Sequence, residues 1–320
     1  MTIRTFELFC GAGGSSCGAR QAGSEIIGGI DMWKTAAANF RLNFPSAIVY
    51  DQPLQSLSAK TVATRIGRVD LLLASPECTN HSVAKGNVPR DEVSRRTAFE
   101  VVRFAKAWRP RWLVVENVVS MRNWNAYGEW MTCLKRLGYN IRELSLNSED
   151  FGVPQSRRRL FVIADLKREP IEPNVNRRKT VPVESILDLG SMGEKYNYGV
   201  RPLVRKGRAK PTLERAERAF QAIGKNKPFL IVYYGSDAAG GWQTIDRPLR
   251  TITTLDRFAL VIPGAKGHQM RMLQPPELAA AMGFPVDYSW AATTRREHIK
   301  LIGNAVSPPV MRSIVKALIS

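Results

Sequence analysis

FELFCGAGGSSCG, residues 6 to 18, sets an apolar run directly against glycines at 11, 13, 14 and 18, where a strand passes into a helix. Glycine at such a junction lets the backbone turn tightly and approach a ligand closely, as in dinucleotide-binding folds. The spacing departs from a strict G-x-G-x-x-G, so a helix-packing role stays equally open at this point. The next apolar run bears on the choice. EIIGGI spans 25 to 30, and Asp31 follows it about twenty residues beyond the first glycines, where a carboxylate can accept hydrogen bonds from ribose hydroxyls. Asp51, after the apolar AIVY at 47 to 50, is a further acid for the same pocket. An adenosine-containing cofactor is the expectation, with its chemistry open.

Working outward, short apolar runs alternate with helix-like stretches through the first half of the chain. TFELF (5–9), EIIGGI (25–30), VDLLLA (69–74) and WLVVEN (112–117) read as strands, and 15–22, 34–43, 94–108 and 127–137 as helices, the last closed by Gly138. The alternation predicts an α/β fold with a Rossmann-like parallel sheet and crossover helices. IRELSLN and RRLFVIADL form a hairpin-like pair around SEDFGVPQS. After about residue 166 the texture changes to proline, glycine and charge, as in EPIEPNVNRRKTVPVE and KYNYGVRPLVRKGRAKP. Helical periodicity returns in RMLQPPELAAAMGF (271–284), and SPPVMRSIVKALIS reads as a terminal helix with prolines in its first turn, placed to pack back on the first sheet. The predicted division is therefore one domain from 1–165 with 271–320, and a small, irregular domain from 166–270.

Bulk composition narrows the partners. Among 320 residues, 47 Lys and Arg face 28 Asp and Glu, for a net charge of +19. A polyanion is the expected partner. The positive residues fall in RRR at 157–159, RKGRAK at 205–210, RR at 295–296 and through 85–96, spread over several loops as suits a cleft rather than a tail. No apolar run approaches the roughly 18 residues that span a bilayer, and the N-terminal residues lack the regions of a signal peptide, so a cytoplasmic location is expected. Cys10, Cys17, Cys78 and Cys133 show no paired zinc spacing. Free thiols and no structural metal are expected. Cys78 stands apart in DLLLASPECTNHSVAKG (70–86), at the end of an apolar run and before a polar, glycine-containing stretch. By itself it reads either as a nucleophile or as a buried small residue.

The order of segments resolves that choice. FELFCGAGG, SPECTNHS at 75–82, ENV at 116–118, QSRRR at 155–159, RPLRTITT at 247–254 and GNAV at 303–306 resemble, in sequence order, the motifs of the cytosine-5 DNA methyltransferases. The resemblance covers nearly the whole chain. It implies S-adenosylmethionine as methyl donor, bound around Phe9, Gly11 and Gly13, with Asp31 on the ribose, Met32 against the adenine, Asp51 at its amino group, and Asn304 and Val306 completing the site. It further implies that the Cys78 thiolate adds to carbon 6 of cytosine so that carbon 5 can take the methyl group, which splits one difficult step into two. Glu116 would bind the ring nitrogen and exocyclic amine, and Arg159 the base oxygen, while Gln155 and Arg157 read as structural or phosphate-facing.

Double-stranded DNA is the implied partner, with the target base flipped out of the stack. Ser82, Lys85 and Arg90 in the loop after Cys78, together with Arg157, Arg205 and Lys206, are candidate DNA contacts. The segment between the QSRRR and RPLRTITT motifs, about 166 to 246, would read the target. An RNA cytosine-5 methyltransferase and a noncatalytic DNA-binding relative are the alternatives; presence of Cys78, Glu116 and Arg159 weighs against the second. A restriction-modification role is among the family's uses. One position departs from the family pattern: Glu77 precedes Cys78 where proline is usual. The expectation is that Glu77 faces the pocket and pairs with Arg159 or Lys85, since an unpaired carboxylate there would raise the thiol pKa.

Overall fold

The computed structural model describes residues 2–77, 91–175, 180–189, 199–234 and 240–320. The N-terminal half runs β1 (Arg4–Leu8), α1 (Gly14–Gln21), β2 (Glu25–Ile30), α2 (Lys34–Asn43), β3 (Ile48–Tyr50), α3 (Ala59–Ile66), β4 (Leu71–Ala74), α4 (Glu92–Arg96), α5 (Ala98–Trp108), β5 (Trp112–Asn117), α6 (Tyr127–Arg136), β6 (Asn140–Asn147) and β7 (Arg158–Asp165). These strands form one seven-stranded sheet in the order β3-β2-β1-β4-β5-β7-β6. Strands β1 to β5 are parallel, and β7 runs antiparallel between β5 and β6. The apolar runs that announce β4 and β5 serve two cores at once, because successive side chains leave a strand on opposite faces. Leu71, Leu73 and Val114 enter a core with residues of α1 and α2, whereas Leu72, Ala74, Leu113 and Val115 enter another with α3, α5 and α6.

The helix expected over 94–108 is divided. Thr97 turns both its N–H and its hydroxyl onto the Ser94 carbonyl, at 3.1 and 2.7 Å, and this tight turn separates α4 from α5.

A second sheet follows, built from β8 (Arg201–Pro202), β9 (Phe229–Val232), β10 (Trp242–Thr244), β11 (Phe258–Ile262) and β12 (Gln269–Met272), with α7 (Lys210–Ile223) before β9. Its order is β10-β9-β11-β12-β8, antiparallel throughout. This region is more regular than its composition predicts. The face of α7 that meets the sheet combines the fully buried Ala216 and Ala219 with the partly buried Leu213, Phe220 and Ile223 at helical spacing. The boundary expected between 270 and 271 falls inside β12, whose residues pair with both β11 and β8.

The chain then returns through α8 (Pro275–Ala281), α9 (Arg295–Asn304) and α10 (Pro308–Ile319). Prolines occupy the first turn of α10, where their missing N–H groups cost nothing, and the helix packs along α1. The two sheets share a core: Leu230, Val232, Phe258 and Leu260 of the second meet Leu278, Ile302, Ile314 and the Leu71 side of the first. A buried fork secures the return, with Arg271 of β12 donating two bonds of 2.7 Å to Glu277 of α8. No helix among the described residues is long and apolar enough to cross a membrane.

Candidate active site

The C-terminal ends of the parallel strands converge on the glycine turn. Phe9 and Gly11 follow β1 with left-handed backbone, and Gly13 closes the turn at φ 81°. Gly13 has a second reason to lack a side chain: a Cβ there would lie 2.7 Å from the Tyr288 hydroxyl and 2.9 Å from the Phe44 ring. At Gly14, the first residue of α1, a Cβ would come within 2.1 Å of the Val306 carbonyl oxygen. The C-terminal segment thus sits directly on the turn. Tyr288 donates to the Ala12 carbonyl, and Asn39 donates to the same oxygen at 3.0 Å.

Asp31 stands at the end of β2. Its two carboxylate oxygens accept from the backbone N–H groups of Gly11 and Trp33, each at 2.8 Å. Burial pushes its pKa up, against the pull of those two N–H groups and of Lys300. The space above Gly11 is open, with no heavy atom within 4 Å of where a Cβ would stand. Met32 and Asp51 lie exposed at the rim, Asp51 paired with Arg41 at 3.6 Å. Asn304 is exposed at the end of α9, and Val306 is buried beside the turn.

A second cluster forms where β5 meets β7. In that antiparallel pair Glu116 lies opposite Phe161, and Arg159, two residues away along β7, projects from the same face. The result is an ion pair of 3.2 Å between Arg159 Nε and Glu116 Oε1. Glu116 is buried, and desolvation pushes its pKa up despite the neighbouring charges of Arg159 and Arg157. These three residues line a small recess with Phe161 and Val306, so the last segment of the chain closes this cluster as well as the glycine turn.

The adjoining strand β4 leads from Ala74 through Ser75, Pro76 and Glu77. Asn117 donates to the Pro76 carbonyl at 3.1 Å and so ties the end of β5 to this segment. Cys78, Ser82, Lys85 and Arg90 lie outside the described residues. Glu77 is exposed, and its expected pairing with Arg159 gives way to the Glu116 contact, because the β-sheet pairing brings Glu116 directly beside that guanidinium.

Comparison with known proteins is decisive for the family. The model of the C-5 cytosine-specific DNA methylases matches residues 3–320. The chain belongs to that family. The methylase is 27% identical to the Type II methyltransferase M1.HphI of Haemophilus parahaemolyticus, over the whole chain and 87% of that relative. It is 25% identical to M.HgiDI of Herpetosiphon aurantiacus, over 95% of the chain and 90% of the relative. A mutant DNMT2 of Spodoptera frugiperda shares its fold with a TM-score of 0.70 at 18% identity, covering all of both chains. The EhMeth methyltransferase of Entamoeba histolytica does so with 0.70 at 16%, over 99% of the chain and 98% of its own.

In the methylase the QSRRR segment works mainly as a staple. Gln155, fully buried, accepts from Ile252 N at 2.9 Å and donates to the Ala281 carbonyl at 3.2 Å. Arg157 donates to the carbonyls of Ile252, Gly303 and Ala305 at 2.9, 2.9 and 3.2 Å. It is 5% exposed, which corrects its expected place among the DNA contacts: a guanidinium sunk among backbone carbonyls does not reach a phosphate. Arg205 and Lys206 are exposed between β8 and α7. Sequence reasoning passed over Asn117, Tyr288 and Lys300. Asn117 stood inside the ENV segment; Tyr288 and Lys300 carried no signal, since each acts on residues more than 250 positions away.

Glu7, beneath the glycine turn, is almost fully buried and accepts from Ser16 N at 3.1 Å and Ser16 Oγ at 2.5 Å. Desolvation pushes its pKa up to about 8. An unfolded chain releases this proton near the ordinary glutamate value while the folded methylase holds it, so stability falls as pH rises from about 4.5 to about 8 and levels beyond. The span is on the order of 5 kcal/mol. Glu7→Gln keeps an acceptor for Ser16 and removes the titration. Urea unfolding between pH 5 and 9 is expected to show a steeper fall of stability in the wild type than in the variant, where the other carboxyls raised by burial still titrate.

Proposed function

We propose that the methylase flips a cytosine out of duplex DNA, adds the Cys78 thiolate to carbon 6 and transfers a methyl group to carbon 5. The observation that carries this reading is the pair of the half-buried Arg159 with the buried Glu116 at the end of β5, tied through Asn117 to the segment that leads into Cys78. A cytosine ring presents a carbonyl oxygen to a guanidinium, and a ring nitrogen and amine to a carboxyl group held above its ordinary pKa. Glu116 would share its proton with the ring nitrogen as carbon 6 is attacked, and Arg159 would hold the oxygen. Loss of the carbon-5 proton and of the thiolate then restores the aromatic ring.

S-adenosylmethionine, when bound, supplies the methyl group from its sulfonium. The open space over Gly11 and the carboxylate of Asp31 suit an adenosine-containing ligand, with Phe9, Gly13, Met32, Asp51, Asn304 and Val306 around it. Residues 166–270, which carry most of the second sheet, would form the target-recognition part, and duplex DNA would lie between it and the catalytic part. The Type II names of the relatives support a role in DNA modification alongside a restriction enzyme.

Bisulfite sequencing of DNA from cells expressing the methylase tests base and site together, with purified enzyme assayed on duplex DNA and on RNA transcripts. Methylation of transcripts with none of duplex DNA would replace the DNA reading by an RNA one. A second measurement addresses the DNA track. If Arg205 and Lys206 each neutralise a phosphate, replacement of either by alanine should lower the slope of log affinity against log salt by about one. Unchanged slopes in both would move the track elsewhere.

A further inference from the structure

The first turns of α9 touch the cofactor edge at two points. Lys300 places its Nζ 4.3 Å from the centroid of the Trp33 ring. One turn earlier on the same helix face, Glu297 accepts from the Thr35 hydroxyl at 3.0 Å. Trp33 and Thr35 flank the start of α2, and the Trp33 N–H is one of the two donors that hold Asp31. One turn later on α9 comes Asn304, already a candidate for the cofactor site.

We propose that Lys300 is a positioning residue of the cofactor site: its ammonium, seated on the Trp33 ring, latches α9 to the end of β2 and stands as the counter-charge to the Asp31 carboxylate. The inference deepens the reading of this turn as an S-adenosylmethionine site and rests on it. An ammonium over an indole face is attracted by the ring quadrupole, and tryptophan is the strongest such partner. Holding the lysine there fixes the ring whose backbone N–H orients Asp31. The same charge favours the ionised carboxylate, which is the form that accepts two ribose hydroxyls.

The surroundings leave this task to Lys300. From β1 and the glycine turn, Glu7 and Cys10 face Asp31, and neither brings a positive charge. Glu297 is occupied with Thr35, Thr293 and Thr294. Burial raises the Asp31 pKa, and Lys300 is the side chain that draws it back.

The test compares Lys300→Met, which keeps length without charge, and Lys300→Arg, which keeps charge and ring contact. In cofactor-free protein, carbon-13 NMR of the Asp31 carboxyl should show titration at higher pH in Lys300→Met than in wild type, with Lys300→Arg close to wild type. Calorimetry with S-adenosylmethionine should show affinity roughly three- to tenfold weaker in Lys300→Met, the loss growing as pH is lowered, and restored in Lys300→Arg. Titration and affinity curves superimposable on wild type would overturn the proposal. So would equal losses in both variants accompanied by lowered thermal stability, since that marks a merely structural lysine. If wild type binds no S-adenosylmethionine while the Asp31 titration still shifts in Lys300→Met, the reading of the ligand fails and the charge pairing stands.

Discussion

Glu116→Gln should lower single-turnover methylation by about 10²- to 10⁴-fold while leaving DNA affinity and its salt dependence close to wild type. The side chain is buried between β5 and β7, and the substitution is nearly isosteric, so the fold has little to lose. What disappears is a titratable group beside the Arg159 guanidinium. Because burial holds the Glu116 carboxyl above its ordinary pKa, it keeps a proton to higher pH than an exposed glutamate. If that proton assists attack on the ring, the wild-type rate falls as pH rises through the shifted pKa, and the glutamine variant lacks this limb. A matching pH profile in both would remove Glu116 from the chemistry. Cys78→Ala should abolish turnover, and with it the covalent complex trapped on DNA containing 5-fluorocytosine, whose fluorine cannot leave as a proton does. Cys133→Ala, changing a half-buried thiol on α6, should retain both.

Arg157→Leu should destabilise the methylase by about 3–5 kcal/mol, because each buried carbonyl left without its donor costs about 1–3 kcal/mol. Three backbone carbonyls, from Ile252, Gly303 and Ala305, lose this donor together. Arg157→Lys should recover only part of the loss, because an ammonium is a point donor and cannot span carbonyls approached by a planar fork. Urea unfolding checks the magnitude. The salt slope of DNA binding by the folded fraction should stay at the wild-type value; a decrease of about 0.9 would mark a phosphate contact instead.

Legibility in the sequence followed the range of the interaction. β2, α2 and β5 were readable to the residue, because apolar runs bounded by glycine, asparagine and acidic positions are local patterns. Glu116 and Arg159 were readable as members of a motif series. Their contact was not, since it depends on β7 lying antiparallel beside β5 in a register that puts Phe161 opposite Glu116. α7 escaped notice although Leu213, Ala216, Ala219, Phe220 and Ile223 recur at helical spacing, because the charged, proline-containing stretch before it drew the reading away.

Net charge, the glycine turn, the acid ending β2 and the order of six short segments were all determined by the sequence itself, because each is a matter of residue type and spacing along one chain. The tertiary structure decided what each of two neighbouring arginines binds. Arg157 and Arg159 lie two residues apart, and residue type alone does not distinguish them. Folding brings the carbonyls at 252, 303 and 305 around the first and the Glu116 carboxylate against the second. A buried guanidinium takes whatever acceptors its surroundings supply, and those acceptors come from segments about 40 to 150 positions away in the chain.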